Sequence, residues 1–225
     1  MAVQDSLGRL FVASKDLHVF DGQTWQAVEI PNTLLVQSMA LGTDGVTWIG
    51  AYNQLGYVTE SSLGSFQFHS LLKELPPETG VLAGILGCAR IGQVTYFISR
   101  DMLLRWDGRS FKVMRYETNS RLFPVQLDGE WWFQHLESGL YQLTEAGPVL
   151  KVTANLLPNR GTMGLTRDSH GLLVMNDWGY FRPGQPESPI SPDRLNQQLR
   201  QLKVSSFDQL PDGSQVIGTL NGGII

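Results

Sequence analysis

A short phrase recurs six times along this chain of 225 residues, and a recurrence of that kind restricts the fold more than composition can. Taking a turn glycine as the marker gives Gly8, Gly45, Gly92, Gly129, Gly171 and Gly213, with gaps of 37, 47, 37, 42 and 42 residues. A strand pattern follows each marker: Leu10 to Ala13, Val46 to Gly50, Val94 to Ile98, Trp131 to Gln134, Leu172 to Met175 and Gln215 to Gly218. A second apolar run follows each strand: Leu17 to Phe20, Leu55 to Val58, Leu103 to Trp106, Gly139 to Tyr141, Gly179 to Phe181 and Gly223 to Ile225. The fullest copy, Val36 to Tyr57, shows the module: an alternating strand, an Asp44-Gly45 turn, a second strand and a polar loop opening a third. Alternation marks half-buried strands, and Asp-Gly between two of them marks a hairpin. A period of about 40 residues with several strands and no helix predicts a β-propeller, because one small blade cannot bury both faces and must stack on its neighbours.

Four pieces carry a family resemblance: Thr43-Asp44-Gly45-Val46-Thr47-Trp48-Ile49-Gly50, Leu17 to Trp25, Leu103 to Phe111, and Gly218 to Ile224. They are similar to the two-component regulator propeller repeat, in which an Asp and a Gly precede a Trp-containing strand, a second glycine, and an aromatic-Asp-Gly turn. The resemblance covers nearly the whole chain. It is fullest in the copies at Gly8, Gly45 and Gly213; the copy at Gly92 lacks the aspartate, and Asp168 to Val174 has no tryptophan. Members look like the extracytoplasmic sensor part of hybrid histidine kinases, diguanylate cyclases and helix-turn-helix regulators. The resemblance therefore implies a non-catalytic, ligand-binding module of a bacterial signal-transduction receptor, located in the periplasm, with a C-terminal output domain in the parent protein.

Composition agrees with an all-β chain: 42% hydrophobic residues suffice for a core, and six Trp, six Tyr and ten Phe suit strands. A formal charge of -4, with 17 scattered Lys and Arg, argues against nucleic acid as a partner. Cys88 is alone, so no intrachain disulfide forms, and the four histidines fall in different repeats, so neither a metal nor a cofactor is expected. The N-terminus has no signal-peptide pattern, and the longest apolar run, Val81 to Ala89, is too short for direct membrane insertion.

The repeats read as 1-31, 32-76, 77-118, 119-155, 156-202 and 203-225 of a single propeller fragment. The first repeat lacks a clear innermost strand and the last stops in its third, so the expectation is about five and a half blades of a seven-bladed ring, with further blades beyond these ends. Polar linkers fall at Pro31 to Thr33, Pro76 to Gly80, Glu117 to Arg121 and Asn155 to Arg160, with one long insert from Pro183 to Lys203. Within the insert, Ser191-Pro192-Asp193 followed by Leu195, Leu199 and Leu202 predicts a short capped helix lying over a blade edge.

In a four-stranded meander A-B-C-D, the A-B and C-D turns share one end and the B-C and D-A connections share the other. The Asp-Gly turns are uniform and build scaffold, whereas the B-C loops differ, and binding residues concentrate on variable loops held by a rigid frame. The candidate ligand contacts are Tyr52, Asn53, Arg100, His135, Glu137, Asp177 and Trp178, for a small molecule or an oligosaccharide. Trp25, Trp48, Trp106, Trp131 and Trp132 are expected between blades, while Trp178, in a loop, reads equally as packing or binding. Catalytic patterns are thin: Ser70-Leu71-Leu72-Lys73 lacks its partner motifs, and Asp44 to Trp48 resembles the structural Asp-box of sialidases with one residue fewer. The enzyme alternative, a glycosidase or lyase, would need a carboxylate pair from Asp16, Asp101, Glu137 and Asp177. A protein-interaction platform without a small ligand is the third reading.

Overall fold

The computed structural model describes residues 1–42, 44–116, 121–210 and 212–225. Thr43 of the second repeat's turn and the linker Glu117 to Ser120 lie outside the described residues. The chain divides into two compact units, Met1–Thr118 and Asn119–Ile225, each built of three antiparallel sheets.

In the first unit one sheet orders β1 (Ala2–Gln4), β2 (Leu10–Ala13), β3 (Leu17–Phe20) and β4 (Trp25–Val28). The next orders β5 (Val36–Leu41), β6 (Thr47–Ala51), β7 (Gln54–Glu60) and β8 (Phe66–Ser70), and the third β9 (Gly87–Ile91), β10 (Val94–Ile98), β11 (Met102–Trp106) and β12 (Phe111–Arg115). In the second unit one sheet holds β13 (Leu122–Leu127), β14 (Glu130–His135), β15 (Gly139–Leu143) and β16 (Pro148–Thr153). Its others hold β17 (Gly164–Asp168), β18 (Gly171–Asn176) and β19 (Gly179–Phe181), and β20 (Val204–Gln209), β21 (Gln215–Thr219) and β22 (Gly223–Ile224). Every sheet is a meander pairing strands consecutive in sequence. The expectation of about five and a half blades from a seven-bladed ring is thus corrected: the chain forms six propeller blades, each of three or four antiparallel strands. The missing innermost strand of the first repeat is present as β1, whose Val3 sits opposite Phe11 of β2. At three residues, with two of them exposed, it is too short to show alternation.

Turn chemistry explains the repeat. All six marker glycines have positive φ. At Gly45, φ is 77° and an added Cβ would touch nothing, so the demand there is conformational and not steric. The aspartates of the phrase close Asx-turns by accepting a backbone N–H two residues on, as in Asp44 to Val46 (3.2 Å), Asp168 to His170 (2.8 Å) and Asp212 to Ser214 (2.9 Å). The C-D turns repeat the device, with Asp21 accepting from Gln23 and Thr24 and Asp107 from Arg109 and Ser110. Those N–H donors hold the Asp21 and Asp107 carboxyls below their usual pKa.

Blades pack face to face within each unit. Phe11, Leu17 and Val19 of the first blade meet Met39, Ile49 and Val58 of the second. Trp48 and Leu55 of the second meet Cys88, Phe97, Leu104 and Trp106 of the third. In the second unit Trp132 and Leu140 meet Leu165 and Val174, and Met175 and Tyr180 meet Val204 and Ile217. Strands covered on both faces, β6 and β10, are buried at every residue, which a half-exposed strand would not tolerate. Gly50, the glycine after the motif tryptophan, meets the same packing: an added Cβ would lie 2.4 Å from Ile85 Cγ2. Trp48, Trp106 and Trp132 are buried as expected, Trp131 is half-buried, and Trp25 is a correction: on outer strand β4 it is 53% exposed, tilted over Phe20.

The long insert replaces a strand. The fifth blade lacks a fourth, and the outer edge of β19 is satisfied instead by Ile190, whose N–H donates to Tyr180 O (2.7 Å), and by Ser191 Oγ, which accepts the Tyr180 N–H (2.9 Å). The expected helix follows as α1 (Asp193–Leu202), with Leu199 fully buried beside Tyr180 and Val204. Its predicted cap differs, because no side chain caps the first turn and Ser191 is engaged by Asn196.

Two outcomes follow from this packing. Trp48 lies 6.2 Å from Phe97 across the blade boundary and carries the Arg90 guanidinium at 5.1 Å, so Trp48→Ala should cost about 3–5 kcal/mol in urea unfolding. Trp48→Phe keeps the ring contact and removes an indole N–H buried without a partner among the described residues, so it should cost far less; equal losses would refute the inter-blade role. At the end of β17, Asp168 takes a bidentate contact from Arg182 (2.6 and 3.2 Å), which pulls its carboxyl from 3.8 to about 2. A lowered carboxylate contributes stability that is complete above its unfolded pKa and is lost as pH falls towards about 2. Carbon-13 titration of Arg182→Gln should therefore return Asp168 towards 3.8, and an unmoved midpoint would assign the shift to the turn N–H alone.

Candidate functional site

The B-C loops and D-A connections lie at the same end of the sheets in each unit. In the second unit β18 ends in Asn176, whose buried Oδ1 accepts the Trp178 N–H at 2.8 Å and sets a tight turn back into β19 at Gly179. This turn lifts Trp178 out, 43% exposed, while Asn176 beneath it is fully buried with its Nδ2 unpartnered among the described residues. An indole is large and apolar, so half of it in water needs an account.

Two cations supply part of one. The Arg160 guanidinium lies 3.7 Å from the Trp178 ring centroid and pairs with Asp177 at 3.4 Å. Arg200, from the last turn of α1, stands 5.7 Å from the same centroid, its Nε donating to Asn196 O at 3.1 Å. The result is an indole with the Arg160 guanidinium over its ring, Arg200 further off and one carboxylate beside it, carried by a D-A connection, a B-C loop and a helix. Such a surface can offer guanidinium donors to an anionic or hydroxyl-rich group.

On the neighbouring blade, His135 ends β14 and is buried, its Nδ1 2.6 Å from Ser138 Oγ. Burial lowers the imidazole pKa against the opposing charge of exposed Glu137, favouring the neutral ring. Gln134 next to it ties the two blades, with Oε1 accepting from Thr162 N (2.7 Å) and Thr162 Oγ1 (2.8 Å). His135 is thus held by structure, while Glu137 faces solvent.

In the first unit Tyr52 and Asn53 form the loop between β6 and β7, with Asn53 at φ 58°. Tyr52 is 41% exposed, but its backbone is fixed by Leu35 O and by Thr33 Oγ1, which donates to Tyr52 O. Arg100 is exposed in the loop after β10, where the next residue, Asp101, stands 4.0 Å from Arg115. The expected contacts therefore fall into separate groups: Asp177 with Trp178, His135 with Glu137, and Tyr52 with Asn53.

Arg160 and Arg200 complete the surface and were not among the expected contacts. Arg160 was legible in principle, because D-A connections share an end with B-C loops by the same topology that selected Trp178. Arg200 was not, since its approach depends on where the insert helix lies. Among the described residues no three His, Cys, Asp or Glu side chains gather as a metal site, and no helix is long and apolar enough to cross a membrane.

No protein-family model matches the chain, and no curated protein matches it in sequence. Solved structures show its fold. A streptogramin B lyase is similar at TM-score 0.65 and 14% identity over 99% of this chain and 76% of that one. Virginiamycin B lyase from Staphylococcus aureus is similar at TM-score 0.62 and 14% identity, over 96% and 75%. The extracellular domain of a putative hybrid two-component system from B. thetaiotaomicron is similar at TM-score 0.59 and 20% identity, over all of this chain and 37% of that one. At these identities the likeness establishes the β-propeller fold alone, which lyases and an extracellular domain of a two-component system share.

Side chains exposed on this surface contribute little to folding. Exposed ion pairs and cation–π contacts are worth about 0–1 kcal/mol. Arg160→Ala and Trp178→Ala should each move urea stability by less than about 1 kcal/mol, whereas Leu199→Ala under the helix should cost about 2–5 kcal/mol. A loss above about 2 kcal/mol for Trp178→Ala would make the indole a packing residue.

Proposed function

We propose that this chain is the ligand-binding propeller portion of a bacterial extracytoplasmic signal-transduction receptor, and that it binds its ligand without transforming it. The observation that carries the reading is Trp178, a half-exposed indole that holds Arg160 over its ring with Arg200 nearby, on a loop whose frame is buried. Fork-shaped donors held against an indole suit recognition of a ligand bearing acidic or hydroxyl groups, an oligosaccharide among them. The motif resemblance to two-component regulator propellers and the fold shared with a two-component extracellular domain both support a sensor, its occupancy relayed to an output domain of the kinase, cyclase or DNA-binding type. Asp177, the acid nearest the platform, is engaged by Arg160, which suits it to holding the guanidinium in place more than to proton transfer.

Neutral and acidic oligosaccharides titrated calorimetrically should give saturable binding, with the ligand recovered unchanged and Trp178→Ala lowering affinity about tenfold or more. The enzyme reading has one observation in its favour, a buried imidazole kept neutral near a carboxylate, His135 with Glu137. A cleaved product that disappears with Glu137→Gln or Asp177→Asn would establish that reading and sink the sensor.

A further inference from the structure

The surface at Trp178 continues onto the fourth blade through a third arginine. Arg121, the residue before β13, lies over the Phe123 ring at 4.6 Å from its centroid. Its neighbour Leu122 sits opposite His135, the last residue of β14, which places Arg121 at the B-C and D-A end. The Phe123 ring packs so closely on the next D-A connection that a Cβ added to Gly161 would stand 2.0 Å from Phe123 Cε1. Gly161 follows Arg160 in the chain, and Arg160 covers Trp178. Arg200 approaches the same indole, so Arg160 and Arg200 stand no further apart than their two distances to that ring combined. Three guanidiniums, from the start of a strand, a connection and a helix, thus follow one another at one end of the second unit, each set against an aromatic ring.

Most of this charge is unanswered by the chain. Arg160 pairs with Asp177, and no other carboxylate pairs with any of the three among the described residues. Arg200 spends its Nε on Asn196 O, and Arg121 makes its contact with the Phe123 ring. The chain as a whole is acidic, with a formal charge of -4, so the row runs against its overall balance. A guanidinium that meets a ring through its face keeps its N–H edge for an acceptor, and the ring restricts the side chain before any ligand arrives.

The spread of the row selects the ligand. A single small anion could meet one or two of these forks, whereas cations carried by a strand, a connection and a helix call for anionic groups repeated along one molecule. Each fork also has more N–H donors than one carboxylate accepts, so hydroxyls beside the acidic groups would find partners that the aliphatic side chains of an acidic peptide could not supply. We infer that, given the binding role proposed for Trp178, the ligand is an oligosaccharide with a carboxylate on more than one of its units. Arg121, which no contact with Trp178 brings to the site, provides a further subsite for one of those carboxylates.

Trigalacturonate is the probe, compared with galacturonate, neutral maltotriose and hexaglutamate by calorimetry of the whole chain at low and moderate salt. It should bind saturably, at least about tenfold more tightly than the monomer or the neutral trisaccharide, and weaken as salt rises. Arg121→Gln and Arg200→Gln should each lower its affinity about fivefold or more with melting unchanged. Lys151→Gln, which removes a charge from exposed β16, should lower it less than about twofold. Maltotriose binding as tightly as trigalacturonate and lost with Trp178→Ala would overturn the acidic ligand and leave the sensor reading standing; no binding of either sugar would overturn both. Equal losses from Arg121→Gln and Lys151→Gln would refute the subsite, and hexaglutamate binding as tightly as trigalacturonate would replace the sugar by a peptide.

Discussion

Everything in this chain depends on one requirement: a sheet of three or four short strands has two apolar faces and too little area to cover either by itself. Trp48 shows how the requirement is met, because its ring reaches across the blade boundary to Phe97 while Arg90 of the next blade covers it. The Arg90 fork also reaches Asp44, whose own carboxylate closes the hairpin before Trp48, so the turn, the ring and the neighbouring blade are joined by one set of contacts. The same logic recurs at Arg167, which extends from the fifth blade to Asp128 in the turn of the fourth. Gly50 is small for the same reason, since Ile85 of the adjoining blade occupies the space a side chain would need.

This dependence explains what could be seen in the sequence. The Asp and Gly of each hairpin are local demands, an Asx bond and a left-handed φ, so they repeat at readable intervals and place β2, β10 and β19 at their expected residues. Blade completeness is a tertiary matter and was misjudged. β1 is three residues with no alternation of its own, yet it pairs with β2 in full register, and an edge that lacks a fourth strand is finished by Ile190 and Ser191. Neither event leaves a periodic signal. Trp25 failed in the opposite direction: the aromatic-Asp-Gly-aromatic phrase around it is a turn signature, and its ring lies on Phe20 in the outer strands, half in solvent.

The candidate surface divides in the same way. Trp178 and Asp177 were legible because strand order alone places B-C loops together at one end, whatever the packing. Arg160 obeys the same topology from a D-A connection, but in sequence a linker arginine looks like any solvated cation. Arg200 depends on α1 lying against β19, and that contact is created by Leu199 entering the core beside Tyr180, a long-range event with no local motif.

The two ends of the blades are under opposite constraints, and this bears on where function can lie. At the A-B and C-D end, aspartate carboxylates such as Asp21 and Asp107 are committed to their own turns, and Asp44 and Asp128 pair with arginines of neighbouring blades, so a ligand there would have to break contacts that hold the scaffold. At the B-C and D-A end the backbone is fixed by strand termini and by buried anchors such as Asn176 and Gln134, which leaves neighbouring side chains with groups to spare. Trp178 stands on Asn176, so the exposed indole is presented by a backbone that is itself satisfied. A rigid base beneath an incomplete surface is the condition under which binding can be strong without reorganising the fold.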